Sequence, residues 1–80
     1  MLTFKKDQKI KVLCDDKEID EVTVVKVESE KRIVVNRLLT TGEKIKFSFV
    51  EENDFWFVLD FGLFGEKSIN PNFPYTLNPS

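Results

Sequence analysis

One stretch constrains the fold of this chain more than any other. Ile45, Phe47 and Phe49 alternate with Lys44, Lys46 and Ser48. A period of two puts the apolar set on one face and the polar set on the other, which is the pattern of a half-buried β-strand. Ile10 and Val12 alternate with Lys9 and Lys11 in the same way. Val22-Thr23-Val24-Val25-Lys26-Val27 and Ile33-Val34-Val35 are β-branched almost throughout, and branching at Cβ favours strand over helix. Phe55-Trp56-Phe57-Val58-Leu59-Asp60-Phe61 reads as a strongly aromatic strand.

These runs predict strands over 9–14, 19–28, 32–39, 44–50 and 55–61, with a short sixth at 66–69. Polar punctuation separates them: Asp15-Asp16-Lys17-Glu18, Glu28-Ser29-Glu30-Lys31-Arg32, Thr40-Thr41-Gly42-Glu43 and Glu51-Glu52-Asn53-Asp54. Gly62 and Gly65 flank Leu63-Phe64 and suggest a tight corner. Short strands at regular spacing with short polar turns predict an all-β antiparallel meander closing into a small barrel. An OB-type barrel usually carries a helix between its third and fourth strands. The segment 36–43 is too short for one, so the expectation is an SH3-like barrel. No helix of useful length and no internal repeat is found.

At 80 residues there is room for one domain, which buries only about 60% of the surface its unfolded chain exposes. Residues 1–69 are read as that domain. Residues 70–80 hold all three prolines, Pro71, Pro74 and Pro79, and are read as an extended tail that can pack back on the barrel. Its apolar residues Phe73, Tyr75 and Leu77 alternate. Pro71-Asn72-Phe73-Pro74 matches the P-x-x-P ligand pattern, with no basic residue close by to orient it.

Composition removes whole classes of chemistry. There is no histidine, and so no imidazole base or metal ligand. The single cysteine, Cys14, allows no intrachain disulfide and no cysteine-rich zinc site; it is read as structural. No phosphate loop, dinucleotide fingerprint or nucleophile elbow is present, so neither a cofactor nor an enzymatic activity is expected. The one constellation with catalytic chemistry on offer is a carboxylate metal site at Asp15, Asp16 and Asp20, within the run that also holds Glu18 and Glu21. Its spacing does not follow the calcium-loop pattern, and a solvated hairpin loop explains it. With no apolar run long enough to span a bilayer and no export signal in the sequence, a cytoplasmic location is expected, with no membrane partner.

Strand 55–61 is apolar on both faces, with Phe55, Phe57, Leu59 and Phe61 on one and Trp56 and Val58 on the other. A half-buried strand needs only one apolar face. Trp56 and Val58 therefore need a cover: the tail, a second copy of the chain in a homodimer, or a different protein. The leading expectation is a non-enzymatic protein-binding module, a small stoichiometric inhibitor or adaptor of the kind viruses aim at host enzymes or defence complexes. Its anchors would be Trp56, Val58, Leu63, Phe64 and Tyr75, inside an acidic rim of Glu51, Glu52 and Asp54. The alternative is a nucleic-acid-binding barrel, with Lys5, Lys6, Lys9, Lys11, Lys44 and Lys46 on phosphates and Trp56 stacking on a base. Twelve basic residues against fourteen acidic give a net charge of −2, which argues against a general nucleic-acid coat.

Overall fold

A computed structural model describes residues 3–59 and 69–79. Six strands make one antiparallel sheet: β1 Lys9–Cys14, β2 Lys17–Ser29, β3 Arg32–Leu38, β4 Lys44–Glu52, β5 Phe55–Leu59 and β6 Thr76–Pro79. There is no helix among the described residues. The spatial order is β5-β4-β3-β2-β1-β6, a five-strand meander to which the last strand returns beside the first.

Two devices set the geometry. The first is turn chemistry. Asp15 and Asp16, at φ 52° and 66°, join β1 to β2, and Asn53 and Asp54, at 55° and 70°, join β4 to β5. Two successive positive φ values define the type I′ turn, whose twist matches that of the flanking strands. Asp and Asn are among the few non-glycine residues that accept this conformation. Much of the acidic character of both loops thus has a backbone reason. Between β3 and β4 the wider turn is completed by Gly42 at φ 93°, whose N–H donates to the Leu39 carbonyl at 2.9 Å.

The second device is the bend in β2. Its first part, up to Thr23, pairs with β1, and the part from Thr23 onward pairs with β3. Register shifts between Val24 and Lys26 and between Val27 and Ser29 mark bulges, which bend a strand and increase its twist. The sheet curls until its two edges meet. Trp56 N–H donates to the Tyr75 carbonyl and Tyr75 N–H to the Trp56 carbonyl, both at 2.8 Å.

The interior of the curl is the core. Ile10, Val12, Val22, Val24, Ile33, Val35, Phe47 and Phe49 line it from β1 to β4, and Trp56, Val58, Tyr75 and Leu77 complete it. Phe4 caps one side, edge-on to Trp56 with ring centroids 5.6 Å apart, and Phe49 meets Tyr75 edge-on at 6.4 Å. Such geometries bring the positive ring edge to the negative face.

Residues expected to form a tail instead supply the sixth strand. Leu77 pairs with Val12 and Thr76 with Leu13. Proline at position 79 is tolerated because β6 is the last strand of the sheet and needs fewer ladder hydrogen bonds. The strand expected at 66–69 lies, apart from Ile69, outside the described residues. Ile69 is buried in the core but belongs to no strand. The P-x-x-P segment is a turn, not an extended ligand: Phe73 N–H donates to the Asn70 carbonyl at 3.0 Å.

Candidate functional site

The register at the closure decides which face of β5 is interior. With Trp56 paired to Tyr75, Trp56 and Val58 point inward at 5% and 8% exposure. Phe55 and Leu59 point outward at 46% and 36%, with Phe57 half-buried between them. This corrects the expected set of anchors. Trp56, Val58 and Tyr75 are core residues, Trp56 packed edge-on against Phe4 and Tyr75 against Phe49, so their side chains are not exposed at the surface. Leu63 and Phe64 lie outside the described residues.

The outward face holds the apolar side chains that sequence reasoning missed. Phe57 sits opposite Val50 on β4, and Val50 opposite Arg32 on β3. Leu59 sits opposite Ser48, and Ser48 opposite Val34. Phe73, which alternates with Tyr75 and Leu77 in the segment that could pack back on the barrel, is 45% exposed. The signal was present in the alternation of strand five, but two apolar faces left open which one the core would take.

Phe55 and Phe73 line one cleft, of about 320 Å³, together with Asp15, Asp16, Pro74 and Thr76. The aromatic start of β5 meets the β1–β2 turn here because β6 lies between them, paired to β1 and bridged to β5 through Tyr75. The expected acidic rim is partly at this place. Glu52 is opposite Phe55 in the ladder, Asp54 immediately precedes it, and both are exposed. Glu51 is on the inward side opposite Trp56, half-buried, with its N–H donating to the Lys31 carbonyl at 2.8 Å.

The six lysines of the alternative reading are all exposed. Four of them ride the outer face of β1 and β4, and the ladder connects two in a single cross-strand row, Lys9–Thr23–Asn36–Lys46. Lys11 lies 3.8 Å from Glu18. Trp56 is buried and cannot stack on a base, so that part of the reading is corrected.

The acidic run disperses once folded. Asp15 and Asp16 form the turn, Glu18 meets Lys11, and Asp20 points inward to pair with the Arg37 guanidinium. Among the described residues, no three His, Cys, Asp or Glu side chains come together as a metal site. Arg37, a charged residue that polarity alone would place outside, lies on the inward face of β3, 4% exposed. Cys14 is partly buried against the core. Burial pushes the Tyr75 hydroxyl above its usual value of 10.0, and Cys14 adds to the effect; its hydrogen bond with the Asn70 backbone and the Arg37 charge act the other way. That hydroxyl donates to the Asn70 carbonyl at 2.8 Å and accepts from the Asn70 N–H, which pins the turn carrying Phe73.

Comparison of the chain with protein-family models, with curated proteins and with solved structures returns no match.

Proposed function

We propose that the chain is a non-enzymatic protein-binding module, acting in the cytoplasm as a small stoichiometric inhibitor or adaptor. Its contact surface is the outward face of β5 with Phe73, edged by Glu52 and Asp54. The observation that carries this reading is the exposure of Phe55, Leu59 and Phe73 on a domain whose interior is already filled by Trp56, Val58, Tyr75 and Leu77. Phe55 and Phe73 line one cleft, and Leu59 lies further along the outer face of the same strand as Phe55; exposed apolar side chains that meet in this way are the usual mark of a docking site, and aromatic residues are enriched at such sites. The SH3-like assignment is favoured for the barrel. The meander, the bent second strand shared between two halves and the return of the last strand beside the first all agree with it.

The test is affinity capture from native cell extract after nuclease treatment. The tagged wild type is compared with a Phe55→Ser/Phe73→Ser variant. A stoichiometric protein held by the wild type and lost by the variant is expected. A partner held equally by both, or no protein partner at all, overturns the reading.

A second reading is favoured by one observation, the row Lys9–Thr23–Asn36–Lys46, with Lys11 and Lys44 beside it on the same outer face. The cationic ends and hydrogen-bonding middle of that row suit a phosphate backbone. Without an exposed aromatic residue among them, affinity would rest on phosphate contacts and fall steeply with salt. Enriched RNA or DNA in a parallel capture without nuclease, lost on Lys9→Glu/Lys46→Glu substitution, would establish it.

A further inference from the structure

We propose that the cleft between Phe55 and Phe73 holds a cationic side chain, a lysine or an arginine, presented by the protein that docks there. The inference rests on the docking reading and adds the chemistry of the contact.

The cleft has two kinds of wall. Phe55, Phe73 and Pro74 form the apolar one, and Asp15 and Asp16 the acidic one. The backbone that carries the two carboxylates is set by the two-residue turn, with both residues in the left-handed region. Glu52 and Asp54 add two more acids beside Phe55. Among the described residues, none of these four carboxylates is in an ion pair, whereas Glu18, Glu28 and Asp20 each face a basic side chain elsewhere. Four like charges around one aromatic residue repel each other, and a bound cation relieves that repulsion.

The occupant must satisfy both walls. A metal ion suits only the acidic one, and the carboxylates do not converge as ligands. A phosphate backbone is repelled. A purely apolar side chain leaves the carboxylates facing it. Lysine and arginine fit both, because their aliphatic stems lie along apolar surface while the charged head is attracted by ring faces and carboxylates. A volume of about 320 Å³ is at the small end of ligand clefts, which suits one side chain and not a broad surface.

The test uses isotope-labelled protein and four short Gly/Ser peptides that differ only at the central residue: arginine, lysine, trimethyl-lysine or the neutral norleucine. Amide shifts in NMR spectra report binding. Saturable shifts at Asp15, Asp16, Phe55 and Phe73 are expected with the cationic peptides. Norleucine should bind between about 2- and 30-fold more weakly, the range that cation–π attraction supplies. Asp15→Asn/Asp16→Asn, which keeps residues that tolerate the turn, should weaken the cationic peptides without touching norleucine. Phe73→Leu, which keeps apolar bulk and removes the ring, should weaken them as well. Equal binding of norleucine and lysine overturns the inference, as does the absence of saturable shifts. Concentration-dependent shifts at the same amides without peptide would assign the cleft to a second copy of this chain and also overturn it. A captured protein that depends on Phe55 and Phe73 but is unaffected by Asp15→Asn/Asp16→Asn leaves the docking reading standing and removes this one.

Discussion

Replacing Trp56 or Phe55 by alanine should have opposite consequences, although the two are neighbours in the chain and both are large aromatics. Trp56 is 5% exposed, so its ring is removed from water almost whole. An aromatic side chain buries about 150–250 Å², worth roughly 4–6 kcal/mol at about 25 cal/mol per Å². Core truncations of this size cost about 3–5 kcal/mol when measured. A domain of 80 residues has about 4–12 kcal/mol of total stability. Trp56→Ala should therefore consume most of it, and it also removes the ring against which Phe4 packs. Phe55 is 46% exposed, on the other face of the same strand. Its truncation leaves no enclosed cavity, and the loss should stay within about 1 kcal/mol. Urea unfolding followed by circular dichroism measures both, since it does not depend on the chain's only tryptophan. Trp56→Ala should shift the midpoint to very low urea or unfold the protein outright, and Phe55→Ala should barely move it. Similar losses for the two, or a larger loss at Phe55, would refute the assignment of faces on β5.

Three further outcomes are expected. Tyr75 is the only tyrosine, so phenolate absorbance reads it directly, and its midpoint in the folded protein should lie above 10.0. Because its folded value is raised, the associated stability is present below the unfolded value and lost as pH rises through the folded one, so urea midpoints should fall on the alkaline side. At the β1–β2 turn, Asp16→Gly should be neutral or stabilising by up to about 1 kcal/mol, whereas Asp16→Val should cost about 1–2 kcal/mol, because only glycine adopts positive φ without penalty; thermal melts decide this. Asp20→Ala removes the carboxylate facing the buried Arg37 guanidinium and should cost about 3–5 kcal/mol, while the double change Asp20→Leu/Arg37→Met should recover most of that. Chemical denaturation of both variants checks the pair.

The sequence made the sheet legible where one signal acted alone. The strand expected at 9–14 is β1 to the residue, since its alternation ends against an Asp-Asp turn pair. β2 and β4 each run further than expected, to Lys17–Ser29 and Lys44–Glu52. Two-residue turns use only Asp15-Asp16 and Asn53-Asp54, so flanking polar residues such as Lys17, Glu51 and Glu52 join the ladder. Polarity marked them as loop, yet at a strand end a polar side chain reaches water from either face. What could not be read locally depended on distant partners. The inward turn of Trp56 is set by Tyr75, far along the chain, and the burial of Arg37 is set by Asp20 on β2. The proline-bearing segment carried two signals, proline against strand and Tyr75–Leu77 alternation for it, and the sheet edge satisfied both.

Hydroxyl-radical footprinting, read residue by residue with mass spectrometry, reports which face of β5 is open to solvent and whether a partner covers it, first on the protein alone and then with its captured partner. Rapid labelling of Phe55 and Phe73 and slow labelling of Trp56 and Tyr75 are expected in the protein alone, with Phe55 and Phe73 becoming protected when the partner binds. Rapid labelling of Trp56, or a partner that leaves Phe55 and Phe73 as reactive as before, would contradict that expectation.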